Sequence, residues 1–174
     1  PSSYLLDQGC GLMSGLSVFQ GVRVLITGHT GFKGSWLSLW LAQLGAEVYG
    51  ASIDNPSIPS HFLAAGLESH VKDYRLDIRA VAPLKALVEK VQPDFVFHLA
   101  AQALVRHSYA NPVDTWQTNA IGTINVLEAL RGLKQPCTAV LITSDKCYDN
   151  VEWVWGYRET DTLGGPDPYS ASKG

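Results

Sequence analysis

The segment that most constrains the fold of this chain is a glycine-rich turn between an apolar run and a helical pattern. Residues 22–27 (VRVLIT) are typical of a strand buried on both faces of a parallel sheet. Gly28, Gly31 and Gly34 follow with the spacing GxxGxxG, and residues 35–44 then carry apolar side chains at helical spacing. Strand, glycine turn and helix in this order predict a dinucleotide-binding βαβ unit.

Each glycine of this turn has a physical reason. The first allows the tight turn, the second lets the backbone approach a pyrophosphate, and the third lets helix and strand pack closely. The helix N-terminus adds free N–H groups and a partial positive charge. We predict that the turn, including Thr30, Phe32 and Lys33, holds a dinucleotide pyrophosphate; the alternative is a glycine-rich turn without a ligand.

The rest of the chain continues the alternation of strand and helix. Further strands are predicted at residues 47–53, 71–76, 94–99 and 138–143, and helices at residues 81–91 and 112–131. This order predicts an α/β fold, a doubly wound Rossmann-type parallel sheet. We expect residues 1–20 to be a leader or a disordered arm. Residues 21–174 are then an NAD-binding domain that is incomplete at its C-terminal end, and a C-terminal substrate domain is absent from this chain.

Acidic residues at strand ends bear on the choice of cofactor. Asp54 ends the second predicted strand, 20 residues after Gly34, where an acid can bond the adenosine ribose hydroxyls. Its charge would repel a 2′-phosphate, and residues 52–61 contain no Arg or Lys, so we predict NAD rather than NADP. Asp54 could instead only begin the turn that follows it. Asp77 and Ile78 could border the adenine in the same way, or be ordinary strand-end residues.

Composition excludes several classes of protein. The 174 residues are 46% hydrophobic, enough for one core, and the net charge of −3 without a basic block argues against nucleic acid. No apolar run approaches the ~20 residues of a membrane span, so no membrane partner is expected. Three cysteines without a CxxC pair favour a reducing cytoplasm. Five histidines without ligand spacing indicate no metal site.

Several motifs occur together in a known order. They are residues 27–36 (TGHTGFKGSW), 98–102 (HLAAQ), 118–123 (TNAIGT) and 169–173 (YSASK). With them the chain resembles the extended short-chain dehydrogenases/reductases that act on nucleotide sugars. Residues 143–149 (TSDKCYD) and 153–159 (WVWGYRE) resemble, within this family, the 4,6-dehydratases that act on CDP-glucose.

The resemblance implies a cofactor site and partners. NAD would lie against the ends of the fourth and fifth strands, at Leu99, Ala100, Ala101 and Thr143. Asn119 would support the active-site strand from the neighbouring helix, or be a buried Asn that satisfies backbone groups, and the two roles are compatible. Small residues such as the two alanines also serve close packing between strand and helix. The implied partners are a nucleotide-sugar substrate and a second copy of the chain, in a homodimer or higher oligomer.

The implied catalytic set is Ser144, Tyr169 and Lys173. Tyr169 and Lys173 lie four residues apart, one helical turn, so their side chains share a face. The Lys173 ammonium would stabilise a phenolate, so that Tyr169 acts as a general base, and would hold the nicotinamide ribose. Ser144 would hydrogen-bond the same sugar hydroxyl as Tyr169. The alternative is an exposed helix start with an incidental lysine.

Asp145 and Lys146 indicate the subclass. In the 4,6-dehydratases an acid at the first position protonates the departing 6-hydroxyl, a role that Asp145 would take. The dTDP-glucose enzymes have Glu at the second position; Lys146 could be the base at C5 or an ion-pair partner of Asp145, and both could form a plain surface pair. The resemblance implies conversion of CDP-glucose to CDP-4-keto-6-deoxyglucose. An epimerase or reductase of the same fold, or a non-catalytic NAD-binding module, are the alternatives.

Overall fold

Five parallel strands form the centre of the protein. The computed structural model describes residues 15–174, and the sheet has the strand order β3-β2-β1-β4-β5. The strands are β1 (Arg23–Thr27), β2 (Glu47–Ser52), β3 (Val71–Arg75), β4 (Phe95–His98) and β5 (Thr138–Leu141). The prediction of a doubly wound parallel sheet is confirmed, and all five predicted strands form within one or two residues of their expected bounds.

Helices connect the strands on both faces of the sheet. They are α1 (Phe32–Gln43), α2 (His61–Ala64), α3 (Val81–Val91), α4 (Val105–Ala110), α5 (Pro112–Trp116), α6 (Gly122–Leu130) and α7 (Pro168–Lys173). Short 3-10 turns lie at Ser17–Phe19, Leu67–Ser69 and Asp145–Cys147. No helix among residues 15–174 is long and apolar enough to cross a membrane.

Alternation along the strands creates two cores. Leu25 of β1 faces a cluster that includes Leu84 and Val88 of α3 and Val126 of α6. Its neighbours in β1, Val24 and Ile26, belong to a second cluster on the opposite face of the sheet. The other buried members of that cluster are Leu41, Val48, Phe62, Leu67 and Val71. Because β1 is covered on both sides, its central residues are fully buried, as its continuous apolar run predicted.

Two helix predictions need correction. The single helix predicted at residues 112–131 contains a π-helical segment, Gln117–Ile121, between α5 and α6, where the amide of Gly122 donates to the Gln117 carbonyl. The helix predicted from residue 35 begins at Phe32, because Gly31 is its N-cap residue. The glycine turn therefore supplies the first turn of α1. Helices α2 and α4 were not predicted.

The residues before β1 pack partly on the sheet. Phe19 lies against Phe95 and Phe97, with ring centroids 5.1 Å and 6.4 Å apart. The end of the predicted leader or arm is thus in contact with the domain. The rest of that prediction, residues 1–14, lies outside the described residues, and the boundary at residue 21 stays a prediction.

A buried histidine links the glycine turn to the sheet. His29 is fully buried, and its Nδ1 lies 2.9 Å from the hydroxyl of Ser52 at the end of β2. A Cβ added to Gly50 would overlap the imidazole ring of His29. Burial lowers the pKa of His29, while the neighbouring Asp73 opposes that shift. The absence of a side chain at Gly50 is therefore what gives the ring its place.

We expect Gly50→Ala to destabilise the protein by about 1–3 kcal/mol, because the new methyl group has no space beside His29. Urea unfolding measures this free energy. In a His29→Ala background the same substitution should cost much less. Gly132→Ala is the matched control, since its Cβ would come no closer than 3.6 Å to the Ala129 carbonyl. Equal costs of Gly50→Ala in both backgrounds would contradict this account.

Candidate cofactor and catalytic site

A cleft of about 190 Å³ opens at the carboxyl ends of β1, β2 and β4. This is the edge at which open α/β sheets bind ligands. Eight residues predicted to bind the cofactor line it: Gly28, Thr30, Gly31, Asp54, Ile78, Leu99, Ala100 and Ala101. Its other lining residues, which were not predicted, are Ala51, Ser52, Ile53, Pro56, Leu76 and Thr118.

The glycine turn is shaped by close backbone contacts. Gly28 has a φ of +76°, and a Cβ there would lie 2.7 Å from the Ala100 nitrogen. A Cβ on Gly34 would collide with the Gly28 carbonyl. Only glycine permits both approaches, so β1, β4 and the first turn of α1 meet with no side chain between them. This brings the amino end of α1 to the floor of the cleft, where it can face a pyrophosphate.

Hydrogen bonds tie the turn to the end of β2. The Thr30 hydroxyl donates to the Asp54 carbonyl over 2.6 Å, and the Thr30 amide donates to the Ser52 hydroxyl over 3.4 Å. Asp54 lines the cleft with an exposed side chain. The backbone of the predicted ribose-binding acid is thus fixed relative to the predicted pyrophosphate-binding turn.

The structure also places a cation at this corner. Arg75 ends β3, and its guanidinium donates to Asp73 over 2.7 Å and to Asn55 over 3.3 Å. The prediction of NAD rested in part on the absence of Arg and Lys from residues 52–61. That observation is incomplete, because Arg75 lies near the same residues in the folded chain. Strand pairing brings Arg75 opposite Ser52 from 23 positions away in the sequence. Its charge is engaged by Asp73.

Besides Asn119, Tyr169 and Lys173, five residues predicted to bind the cofactor lie outside the lining of the cleft. Asp77 accepts from Arg79 over 2.6 Å, and that hydrogen bond lowers the pKa of its carboxyl group. Phe32 and Lys33 form the exposed first residues of α1 beside the turn, with 75% of Phe32 accessible. Thr143 follows the end of β5. Gly34, also predicted, is buried beneath the turn.

Helix α7 carries Tyr169 and Lys173. Asp167 caps its amino end by accepting from the Ser170 amide over 2.9 Å, and the Tyr169 amide donates to the hydroxyl of Ser108 over 3.1 Å. Tyr169 is buried, and burial lowers the pKa of the Lys173 ammonium. The predicted general base and its lysine are therefore held in a largely desolvated environment.

Asn119 lies in the π-helical segment and joins two parts of the site. Its carboxamide oxygen accepts from the Gln102 amide over 2.9 Å. Its carboxamide nitrogen donates to the Gln102 carbonyl over 3.0 Å and to the Ser172 hydroxyl over 2.9 Å. The side chain thus connects the segment after β4 to helix α7. The support of the active-site strand that was predicted for Asn119 stays a prediction.

Ser144 and Asp145 follow β5, in the turn that packs against α7. The Ser144 hydroxyl donates to the Asp145 carboxylate over 2.9 Å. That hydrogen bond lowers the pKa of Asp145, with a further contribution from the charge of Lys146. The structure brings the predicted acid to the turn that packs on the helix of the predicted base. Its lowered pKa favours the ionised carboxylate at neutral pH.

Sequence reasoning missed the contacts that support α7. Ser108 of α4 is fully buried, and its hydroxyl accepts from the Tyr169 amide. No local sequence pattern predicts this contact, because the two residues lie 61 positions apart. In the loop after Asp145, Tyr157 stacks on Tyr148 with ring centroids 5.1 Å apart, while Trp155 remains 73% exposed.

Comparisons with known proteins agree with this geometry. A CDP-glucose 4,6-dehydratase from Salmonella typhimurium is 51% identical over 156 residues, which cover 90% of this chain and 44% of that protein. The chain thus spans less than half the length of this curated relative. A solved epimerase from Methanothermobacter thermautotrophicus superimposes with a TM-score of 0.80 at 27% identity, covering 95% of this chain and 48% of that one. A Thermus thermophilus UDP-glucose 4-epimerase solved in complex with NAD superimposes with a TM-score of 0.72 at 30% identity, covering 87% of this chain and 47% of that one.

A family model described as GDP-mannose 4,6 dehydratase matches residues 25–174, which include the glycine turn, the cleft and helix α7. The resemblance inferred from the motifs is confirmed by this match and by the dehydratase relative. The chain belongs to this family of nucleotide-sugar dehydratases, within the short-chain dehydrogenases/reductases.

Proposed function

We propose that the protein containing this chain is an NAD-dependent lyase that converts CDP-glucose to CDP-4-keto-6-deoxyglucose. The observation that carries the proposal is the position of Asp145 in the turn that packs on the helix of Tyr169 and Lys173. An acid beside an oxidoreductase-type tyrosine and lysine pair suits removal of water after oxidation at C4. The choice of CDP-glucose is supported by the 51% identical relative.

The cleft fits NAD by its shape and its polar groups. Close backbone packing at Gly28 and Gly34 brings the amino end of α1 to the cleft, where a pyrophosphate can bind. Asp54 would hold the adenosine ribose, and Ile78 with Leu76 would flank the adenine. NAD, when bound, would supply a reversible hydride acceptor. The Thermus thermophilus epimerase with NAD supports the same assignment.

Proton transfers are assigned to residues of this chain. Lys173 would stabilise Tyr169 as the phenolate, which would then accept the proton of the 4-hydroxyl and become the neutral phenol. Asp145 would donate a proton to the 6-hydroxyl, which then leaves as water. Lys146 would act either as the base that removes the C5 proton or as the ion-pair partner of Asp145.

The hydrogen bond between Ser144 and Asp145 suggests how the acid gains its proton. A serine hydroxyl has one proton, so Ser144 cannot donate to the Asp145 carboxylate and to a sugar hydroxyl at once. If the Ser144 hydroxyl donates its hydrogen bond to a bound substrate instead, Asp145 loses the interaction that lowers its pKa. The carboxyl group would then bind a proton more readily, at the stage when the elimination needs it.

The exposed apolar side chains of helices α5 and α6 support a homodimer or higher oligomer. Val113 and Trp116 of α5 and Ile124 and Leu127 of α6 are all at least 44% accessible. Burying such a surface against a second copy would be favourable. Trp116→Glu should shift sedimentation toward the monomer, and an unchanged sedimentation coefficient would contradict this interface.

A cytoplasmic location is proposed on the cysteines. Cys137 and Cys147, the two that the structure describes, are free thiols. Free thiols persist in reducing compartments, whereas secreted domains commonly pair them.

Product analysis tests the reaction. We expect full-length protein in deuterated water to convert CDP-glucose, and not the dTDP-, GDP- or UDP-sugars, to a 4-keto-6-deoxy sugar with deuterium at C5, read by NMR. Asp145→Asn should still oxidise C4, with NADH accumulating, but should stall before water leaves. Asp149→Asn, four residues further along the same loop, is the control. An epimerised sugar without deoxygenation would support the epimerase alternative, and no reaction at all would support the NAD-binding module.

Titration calorimetry tests the cofactor. We expect NAD to bind at least about tenfold more tightly than NADP, because the Asp54 carboxylate repels a 2′-phosphate. Asp54→Asn should narrow this ratio mainly by improving NADP binding, whereas Asp161→Asn in the distal loop should leave it unchanged. Equal affinities in the unaltered protein would contradict the assignment.

A further inference from the structure

His98 is a buried polar residue to which the proposed reaction assigns no role. It ends β4 directly opposite Thr27, the last residue of β1. Its Nδ1 lies 2.6 Å from the Thr27 hydroxyl oxygen, and its Nε2 lies 2.9 Å from the Thr123 hydroxyl oxygen. One imidazole ring therefore bridges the cofactor edge of the sheet and helix α6.

The direction of each hydrogen bond follows from the partners at the two ends. The Thr123 hydroxyl donates to the Asn119 carbonyl over 2.6 Å, and since a carbonyl only accepts, the single hydroxyl proton is committed there. Thr123 must then accept from His98, which puts the ring proton on Nε2. The unprotonated Nδ1 accepts from the Thr27 hydroxyl, and the Thr27 oxygen accepts from the Ala100 amide over 3.3 Å.

The ring is held in this neutral form by its surroundings. Burial, with a smaller contribution from the positive charge of Lys173, lowers the pKa of His98 to about 4. At neutral pH the ring carries one proton, and the chain of hydrogen bonds needs that proton on Nε2. In the hydrogen-bond chain that runs from the Ala100 amide to the Asn119 carbonyl, each donor then has one acceptor.

We propose that His98 is a positioning residue that transmits the geometry of the cofactor cleft to the catalytic helix. At one end of the hydrogen-bond chain, Ala100 forms a wall of the cleft. At the other end, Asn119 holds helix α7 through Ser172. A displacement of the cleft wall is thus passed to the helix of Tyr169 and Lys173. The catalytic part of this inference rests on the proposed function; the coupling of the two regions does not.

The tautomer gives the first test, and it needs no activity. In full-length protein labelled with ¹⁵N-histidine, NMR should show the His98 ring as the neutral Nε2–H tautomer at pH 7. Thr123→Ser keeps the hydroxyl and should keep this tautomer. Thr123→Val removes the acceptor and should alter the ring signals. A His98 ring protonated on Nδ1, or on both nitrogens, would overturn the proposed hydrogen-bond chain.

Hydrogen exchange tests the coupling over distance. Thr27→Val removes a hydroxyl on the cofactor side of the hydrogen-bond chain. If the two ends are coupled, amide exchange in α7 should become about five- to tenfold faster, the effect expected for the loss of one hydrogen bond. Thr138→Val, at the exposed start of β5, is the matched control and should leave α7 unchanged. An effect of Thr27→Val confined to β1 and β4 would mean that the two contacts are independent, and would overturn the proposal.

Turnover separates this inference from the proposed function. If the full-length protein is a dehydratase, Thr123→Val should lower kcat about five- to tenfold with little change in NAD affinity, and Thr123→Ser should restore it. The double variant Thr27→Val/Thr123→Val should lose less than the product of the two single effects, because both break one chain. A fully multiplicative loss would contradict the coupling. If the protein dehydrates no sugar, the exchange and tautomer results still decide the inference.

Discussion

The site depends on a contact between backbone atoms that leaves no room for a side chain. At Gly28 the main chain of β1 lies against that of Ala100 after β4, and Gly34 brings the first turn of α1 onto the Gly28 carbonyl. The backbones of β1, of the segment after β4 and of the first turn of α1 therefore meet at Gly28. The amino end of the helix can face a ligand only because nothing stands between these three segments.

Much of this arrangement could be predicted because it depends on local patterns. The apolar run of β1 identified a strand covered on both faces, and α3 forms over the expected residues, Val81–Val91, because its apolar positions recur at helical spacing. The glycine spacing located one side of the cleft. These features are set by residues close together in the sequence.

What could not be predicted depends on pairing or on packing. The buried face of α1 consists largely of small residues, so its large apolar side chains did not show that Gly34, Ser35 and Ser38 are buried while Trp36 and Trp40 stay about half exposed. Arg75 reaches the cofactor corner through its register with Ser52, which no local pattern contains. The π-helical segment is similar: its sequence is compatible with a regular helix, and Asn119 within it bonds Gln102 and Ser172, which are distant in the sequence.

Asp73 has two tasks, and together they bear on how cofactor preference could change during evolution. One carboxylate oxygen binds the Arg75 guanidinium, and the other lies 3.1 Å from Nε2 of the buried His29. Losing this carboxylate would release a guanidinium beside the end of the cleft that we propose holds the adenosine, where it could attract a 2′-phosphate. The same change would take a polar neighbour from a buried imidazole and weaken the fold. A drift toward NADP is therefore opposed by a cost in stability, and lineages that made it would need compensating changes around His29.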